Sequence, residues 1–184
     1  MKNTLVAYAI LTSSLIFSGV TLADESKEVK NWNVGVGAQS LTVTNDFEDI
    51  EFSGAIVTAS YAFSDSFALR GSFHSLENDD ESDLTSNSFD IVGYWGTGLQ
   101  SKGFKGYIGV GLFSDTWELD GFQGEEKFSG AVFSGGLGYS WEYITVDFML
   151  GARTAGDYAD LIEDVGGSGT IMAITTSLVL SARF

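Results

Sequence analysis

Cysteine and proline are absent from this 184-residue chain. Without cysteine there is no disulfide, no thiolate metal site and no cysteine for a lipid anchor. Without proline every residue can donate to a backbone ladder, which suits a chain made mostly of central strands. Positive charge is scarce: 9 Lys and Arg stand against 25 Asp and Glu, a formal net charge of −16, which disfavours nucleic acid as a partner. Histidine occurs once, at His74, so no histidine cluster can bind zinc. Beyond residue 23 no apolar run approaches the roughly 20 residues that a transmembrane helix needs.

The amino terminus has its own pattern. Lys2 is followed by an apolar stretch from Leu5 to Val20, broken by Thr12, Ser13, Ser14 and Gly19. Thr21-Leu22-Ala23 then places small residues where a signal peptidase would cut. The pattern predicts a cleaved signal peptide over 1–23, Sec-type export, and a single mature domain over 24–184.

The rest of the chain alternates with period 2. Eight segments stand out: 32–43, 52–63, 67–76, 87–96, 104–115, 127–141, 143–153 and 170–184. In each, one face is apolar and the other small or polar. Ile144, Val146, Phe148, Leu150 and Ala152, for example, oppose Thr145, Asp147, Met149, Gly151 and Arg153. About ten residues is the length a tilted strand needs to cross hydrocarbon. The connections alternate short (64–66, 97–103, around Glu142) with long (45–51, 77–86, 116–126, 154–169). An even strand count with this alternation predicts an all-β fold: an eight-stranded antiparallel up-and-down transmembrane β-barrel. A soluble β-sandwich is the competing fold.

Aromatic residues collect at the ends beside the short turns. Trp32, Tyr61, Trp95, Tyr139, Trp141 and Phe184 are expected to form one interfacial girdle. Phe73, Phe89, Phe113 and Phe128 lie near the opposite ends. Phe113 has inward parity, which calls for either a bulge in its strand or a local failure of the face assignment.

The same parity turns Arg70, Asp90, Lys105, Asp147, Arg153 and Arg183 into the lumen. Buried charges must pair, so Arg70 is expected to meet Asp90 or Asp147 in a polar plug. Eighteen carboxylates fall in the four long connections or at their edges, Asp115 among them, against only Lys127 and Arg153. The plain reading is hydration of surface loops. The sharper one is binding of divalent cations, with Asp79, Asp80, Glu81 and Asp83 as candidate ligands, although 78–83 is not an EF-hand loop. His74 and Ser75 are neighbours on one strand and face opposite ways, so they do not form a base–nucleophile pair; no catalytic residue is assigned.

Taken together, the signal peptide, eight amphipathic strands, alternating connections and the aromatic Phe184 resemble the small bacterial outer-membrane β-barrel family, of the OmpA transmembrane-domain and OmpX/Ail kind. The resemblance implies residence in the outer membrane, contact with lipid and lipopolysaccharide, and a last strand read by the barrel-assembly machinery. It implies no cofactor. The OmpX/Ail group tends to carry strands longer than the membrane requires, a feature the segments above do not display. Three functions are expected in order: a structural or surface-interaction barrel, a narrow porin-like channel, and, distantly, a lipid A-modifying enzyme.

Overall fold

A computed structural model describes residues 30–44, 49–78, 84–119, 125–154 and 172–184. The signal-peptide reading therefore lies outside the described residues, as do Asp79, Asp80, Glu81 and Asp83. Eight strands follow in chain order: β1 (Trp32–Thr44), β2 (Asp49–Ser64), β3 (Phe67–Asn78), β4 (Leu84–Thr97), β5 (Gly103–Leu119), β6 (Glu125–Ser140), β7 (Ile144–Arg153) and β8 (Met172–Arg183). Each pairs antiparallel with the next, and β8 returns to β1, so the sheet closes into an up-and-down barrel. Closure satisfies the backbone groups that an open sheet would leave at its two edges. The seam runs from Asn33↔Arg183 to Thr44↔Met172. Paired N–H···O bonds between Trp32 and Phe184, 2.9 and 3.0 Å, close its foot.

Polarity is inside out relative to a soluble protein. Leu112 is 70% exposed, whereas Asp147 on the inner face is 1% exposed. Every strand contributes four to six successive outward positions that are almost all apolar or glycine, from Trp32 to Ala38 on β1 and from Phe104 to Leu112 on β5. About nine residues at ~3.3 Å and a ~40° tilt span roughly 23 Å, close to the ~25 Å band of a transmembrane barrel.

Above that band the strands continue, contrary to the sequence expectation. β5 runs on to Leu119, β6 begins at Glu125, β4 at Leu84 and β2 at Asp49. The period-2 pattern persists there with its polarity exchanged. Outward positions become Ser53, Ser75, Asn87, Ser114, Thr116 and Ser129, while Leu41, Val43, Phe52, Leu76, Trp117 and Phe128 are buried inside. A search for outward apolar faces stops where the membrane stops, so it misses this upper cylinder.

Phe113 is resolved in the same way. The β4–β5 and β5–β6 registers pass through it without a shift, so there is no bulge. Its ring points into the barrel, 3% exposed, and Phe128 is inside as well. Neither belongs to an outer girdle.

Candidate functional site

The lumen is the chemically distinctive part of the molecule, and it is built in layers. Nearest the short turns, Asp147 on β7 is the centre. Its Oδ2 lies 3.0 Å from Lys105 Nζ and 3.5 Å from an Arg70 guanidinium nitrogen. Its Oδ1 accepts from the Tyr107 hydroxyl at 2.7 Å. Tyr94 and Tyr107 meet edge to face at 4.9 Å, and the Arg70 guanidinium sits over both rings, at 5.1 and 5.5 Å. Arg70 also contacts the Met149 sulfur. Of the two partners expected for Arg70, the structure supplies Asp147.

Two glycines make room for the tyrosines. A Cβ on Gly109 would lie 2.5 Å from the Tyr94 ring, and one on Gly136 would lie 2.7 Å from the Tyr107 ring. Small residues on β5 and β6 are thus a condition of this tyrosine packing.

A second charged layer lies higher. Arg153 donates to Asp115 at 3.2 Å, to Asp90 at 3.1 Å and to the Ser88 hydroxyl at 2.9 Å. Asp115 also accepts from the Ser86 hydroxyl at 2.7 Å and the Trp117 indole N–H at 3.1 Å. Asp90 pairs with His74 Nε2 at 2.8 Å. Asp115, read from the sequence as part of the acidic rim, is instead completely buried beside Arg153. The signal that could have found it is parity: Asp115 shares a face with Phe113 and Trp117. Arg153 likewise belongs to the interior.

Above this layer Trp117 meets Phe52 at a tilt and Phe128 edge to face, at 4.9 and 5.0 Å, with Leu41 and Val43 in the same buried core. Below the Asp147 layer, the turn between β4 and β5 folds across the mouth. Gly98 (φ 75°) and Gly103 (φ 110°) adopt backbone angles that suit glycine and bound this turn, which buries Leu99. Asp65 receives the backbone N–H groups of Gly98, Gln100 and Ser101 at 3.0 to 3.2 Å. The Ser101 side chain, with those N–H groups, holds the Asp65 carboxyl below its ordinary pKa. Arg183 reaches the carbonyls of Trp141 and Gln100, at 2.7 and 2.6 Å. Its hydrogen-bond partners are carbonyls, so it clamps the mouth and stands apart from the carboxylate network expected to include it.

The turn end also carries the aromatic residues. Contacts run Trp32–Tyr61–Phe63–Phe67–Trp95, each 4.9 to 5.4 Å between ring centres, and Phe104–Tyr139–Trp141 at 5.0 and 4.6 Å. Phe184 is exposed beside Trp32. Ser75 faces outward while His74 is buried on Asp90, so the two are on opposite sides of the wall.

An apolar outer belt around a closed barrel with a charged interior defines a transmembrane β-barrel. No protein-family model matches the chain, and no curated protein matches it. Among solved structures it is similar to Neisserial surface protein A, at 14% identity and a TM-score of 0.62, over 83% of this chain and 97% of that one. It is similar to Ail, the attachment invasion locus protein of Yersinia pestis, at 14% and 0.58, over 85% and 100%. The N-terminal β-barrel domain of Pseudomonas aeruginosa OprF follows at 16% and 0.52, over 82% and 97%. At such identities the likeness is one of fold: this chain has the fold of the small eight-stranded outer-membrane barrels.

Proposed function

We propose that the chain is an exported bacterial outer-membrane barrel, plugged along its axis, whose job is done on its loop side. The reading takes residues 1–23 as a cleaved signal peptide. The termini and short turns then face the periplasm, the belt meets lipid and lipopolysaccharide, and the last strand with Phe184 addresses the assembly machinery. The observation that carries the plug is continuity of filling. The clamped mouth, the Asp147 layer, the Arg153 layer and the aromatic cluster succeed one another. A porin-like path would need a wetted passage through all four. Purified protein in planar bilayers should give no stable, reproducible conductance steps; such steps at physiological salt would replace this reading with the channel.

The loop side is acidic, and this bears on the partner. The Ail protein of Yersinia pestis was solved with a heparin analogue, sucrose octasulfate. All but Asp115 of the eighteen carboxylates remain for this rim, so a polyanion of that kind is disfavoured here. Cationic surfaces or divalent cations fit its charge better. The described residues form no base–nucleophile contact at His74: its Nε2 bonds Asp90, its Nδ1 meets no hydroxyl, and Ser88, the lumen serine paired with it in register, accepts from Arg153.

A further inference from the structure

The outer wall has a groove that the barrel's own packing does not require. Four glycines face outward within the apolar belt: Gly71, Gly93, Gly106 and Gly135. Phe89 lies over Gly71, and Phe67 with Trp95 over Gly93, so two of them are roofed by aromatic rings. Gly106 and Gly135 have no such roof. A Cβ on Gly106 would first meet a Leu137 methyl at 3.3 Å, and one on Gly135 the Tyr107 carbonyl at 3.4 Å. A Cβ at either would need its neighbour to give by a few tenths of an ångström, far less than at Gly109 and Gly136. By register Gly106 pairs with Leu137 and Gly135 with Ile108, so the floor runs diagonally across β5 and β6 with Ile108 on one flank and Leu137 on the other; Trp95, Phe148 and Leu150 complete the lining of a hollow of about 500 Å³. A second hollow of about 540 Å³ shares Gly106, Leu137 and Phe148 with it and extends to Phe104, Tyr139 and Trp141 at the turn end.

Space in the hydrocarbon layer that protein does not fill is filled by acyl chain, because a void forfeits dispersion contacts. The lining of the second hollow stops, along the chain, one or two residues short of an ion pair. Lys102 and Glu142 stand just beyond Phe104 and Trp141 in the chain, bonded to each other and exposed to solvent by 66% and 50%. Such a pair at the end of an apolar slot matches a zwitterionic headgroup, the ammonium taking the phosphate and the carboxylate taking the amine. Here we infer that the β5–β6 wall seats one phospholipid, its acyl chain over Gly106 and Gly135 and its phosphoethanolamine headgroup at Lys102 and Glu142. The assignment rests on the membrane-spanning reading above.

Proteoliposomes containing the full chain and a photoactivatable phosphatidylethanolamine, with the reactive group on the acyl chain, test it. Label should concentrate on peptides from β5 and β6 at least fivefold over those from β1 and β2. Gly106→Leu with Gly135→Leu should remove that excess, Ala59→Leu on the far wall should leave it, and Lys102→Gln should lower it about threefold. Label spread evenly over the wall, label surviving the double glycine variant, or chain-to-chain cross-links through the groove would overturn the assignment. Failure of the parent reading looks different: the wild-type chain would then fail to enter membranes and would show no heat-modifiable gel mobility.

Discussion

Arg153 is the side chain whose removal tests the plug most directly. Its guanidinium is fully buried and makes charge-assisted contacts to Asp115, Asp90 and Ser88. In Arg153→Met, both carboxylates lose their ion pair with the guanidinium, while Asp115 keeps Ser86 and Trp117 and Asp90 keeps His74. Each lost attraction is on the order of 4 kcal/mol at an effective dielectric near 20. The unfavourable desolvation of the guanidinium, several kcal/mol, disappears with it. The net should fall in the range measured for broken buried pairs, about 3–5 kcal/mol. That is a shift of roughly 140- to 4,000-fold in the unfolding equilibrium. Arg70→Met is the comparison. Asp147 would still hold Lys105 at 3.0 Å and Tyr107 at 2.7 Å, so the loss should be clearly smaller. Urea unfolding in micelles, followed by tryptophan fluorescence and by heat-modifiable mobility, reads both. The reasoning fails if Arg153→Met costs under about 1 kcal/mol, or if Arg70→Met costs as much.

Gly109→Val should block insertion of Tyr94 and lower folding yield severely, whereas Gly71→Ala, whose Cβ would find its nearest neighbour at 3.9 Å, should fold as the parent does; refolding yields on gels compare them. Asp65 has a folded pKa below its ordinary 3.8, so its contribution is complete above that value and is lost as pH falls through the lower folded value. The stability difference between wild type and Asp65→Asn should therefore be constant from pH 7 to about pH 5 and shrink below pH 4. Calcium at saturation should slow proteolysis of the loops holding Asp79, Asp80, Glu81 and Asp83; unchanged cleavage would remove cations from the candidate partners.

Much of the barrel was legible because lipid imposes a simple code. Outward apolar positions between Trp32 and Phe184 repeat at every second residue, and the charged residues on the other parity do lie in the lumen. The code stops being readable where the solvent changes. Between Ser114 and Leu119 the outward face is Ser, Thr and Glu, and the inward face holds Asp115 and Trp117, which by composition looks like the start of a loop. The pairings inside the lumen were also hidden. Parity assigns a face, but whether Arg70 meets Asp90 or Asp147 depends on strand stagger and on the room left by Gly109 and Gly136. Arg183 is inward as its parity requires but takes carbonyls as partners, because a carbonyl can satisfy a guanidinium as a carboxylate does, and carbonyls leave no trace in composition.

The two charged layers have an uneven footing around the barrel. Arg70, His74, Asp90, Lys105, Asp115, Asp147 and Arg153 all come from β3, β4, β5 and β7, while β1, β2 and β8 supply none of them. Across the seam, the lumen is bridged by a neutral contact, Ser177 to Gln39 at 3.0 Å. A half-built wall of β3 to β7 would therefore already carry every one of these ions while still open to water. The last pairing of β8 with β1 is then the step that dries them all at once. Closure of the seam should behave as a single late event, and seam variants such as Gly37→Val, whose Cβ would strike the Leu178 carbonyl, should stall the barrel as an open sheet with its ions still wet.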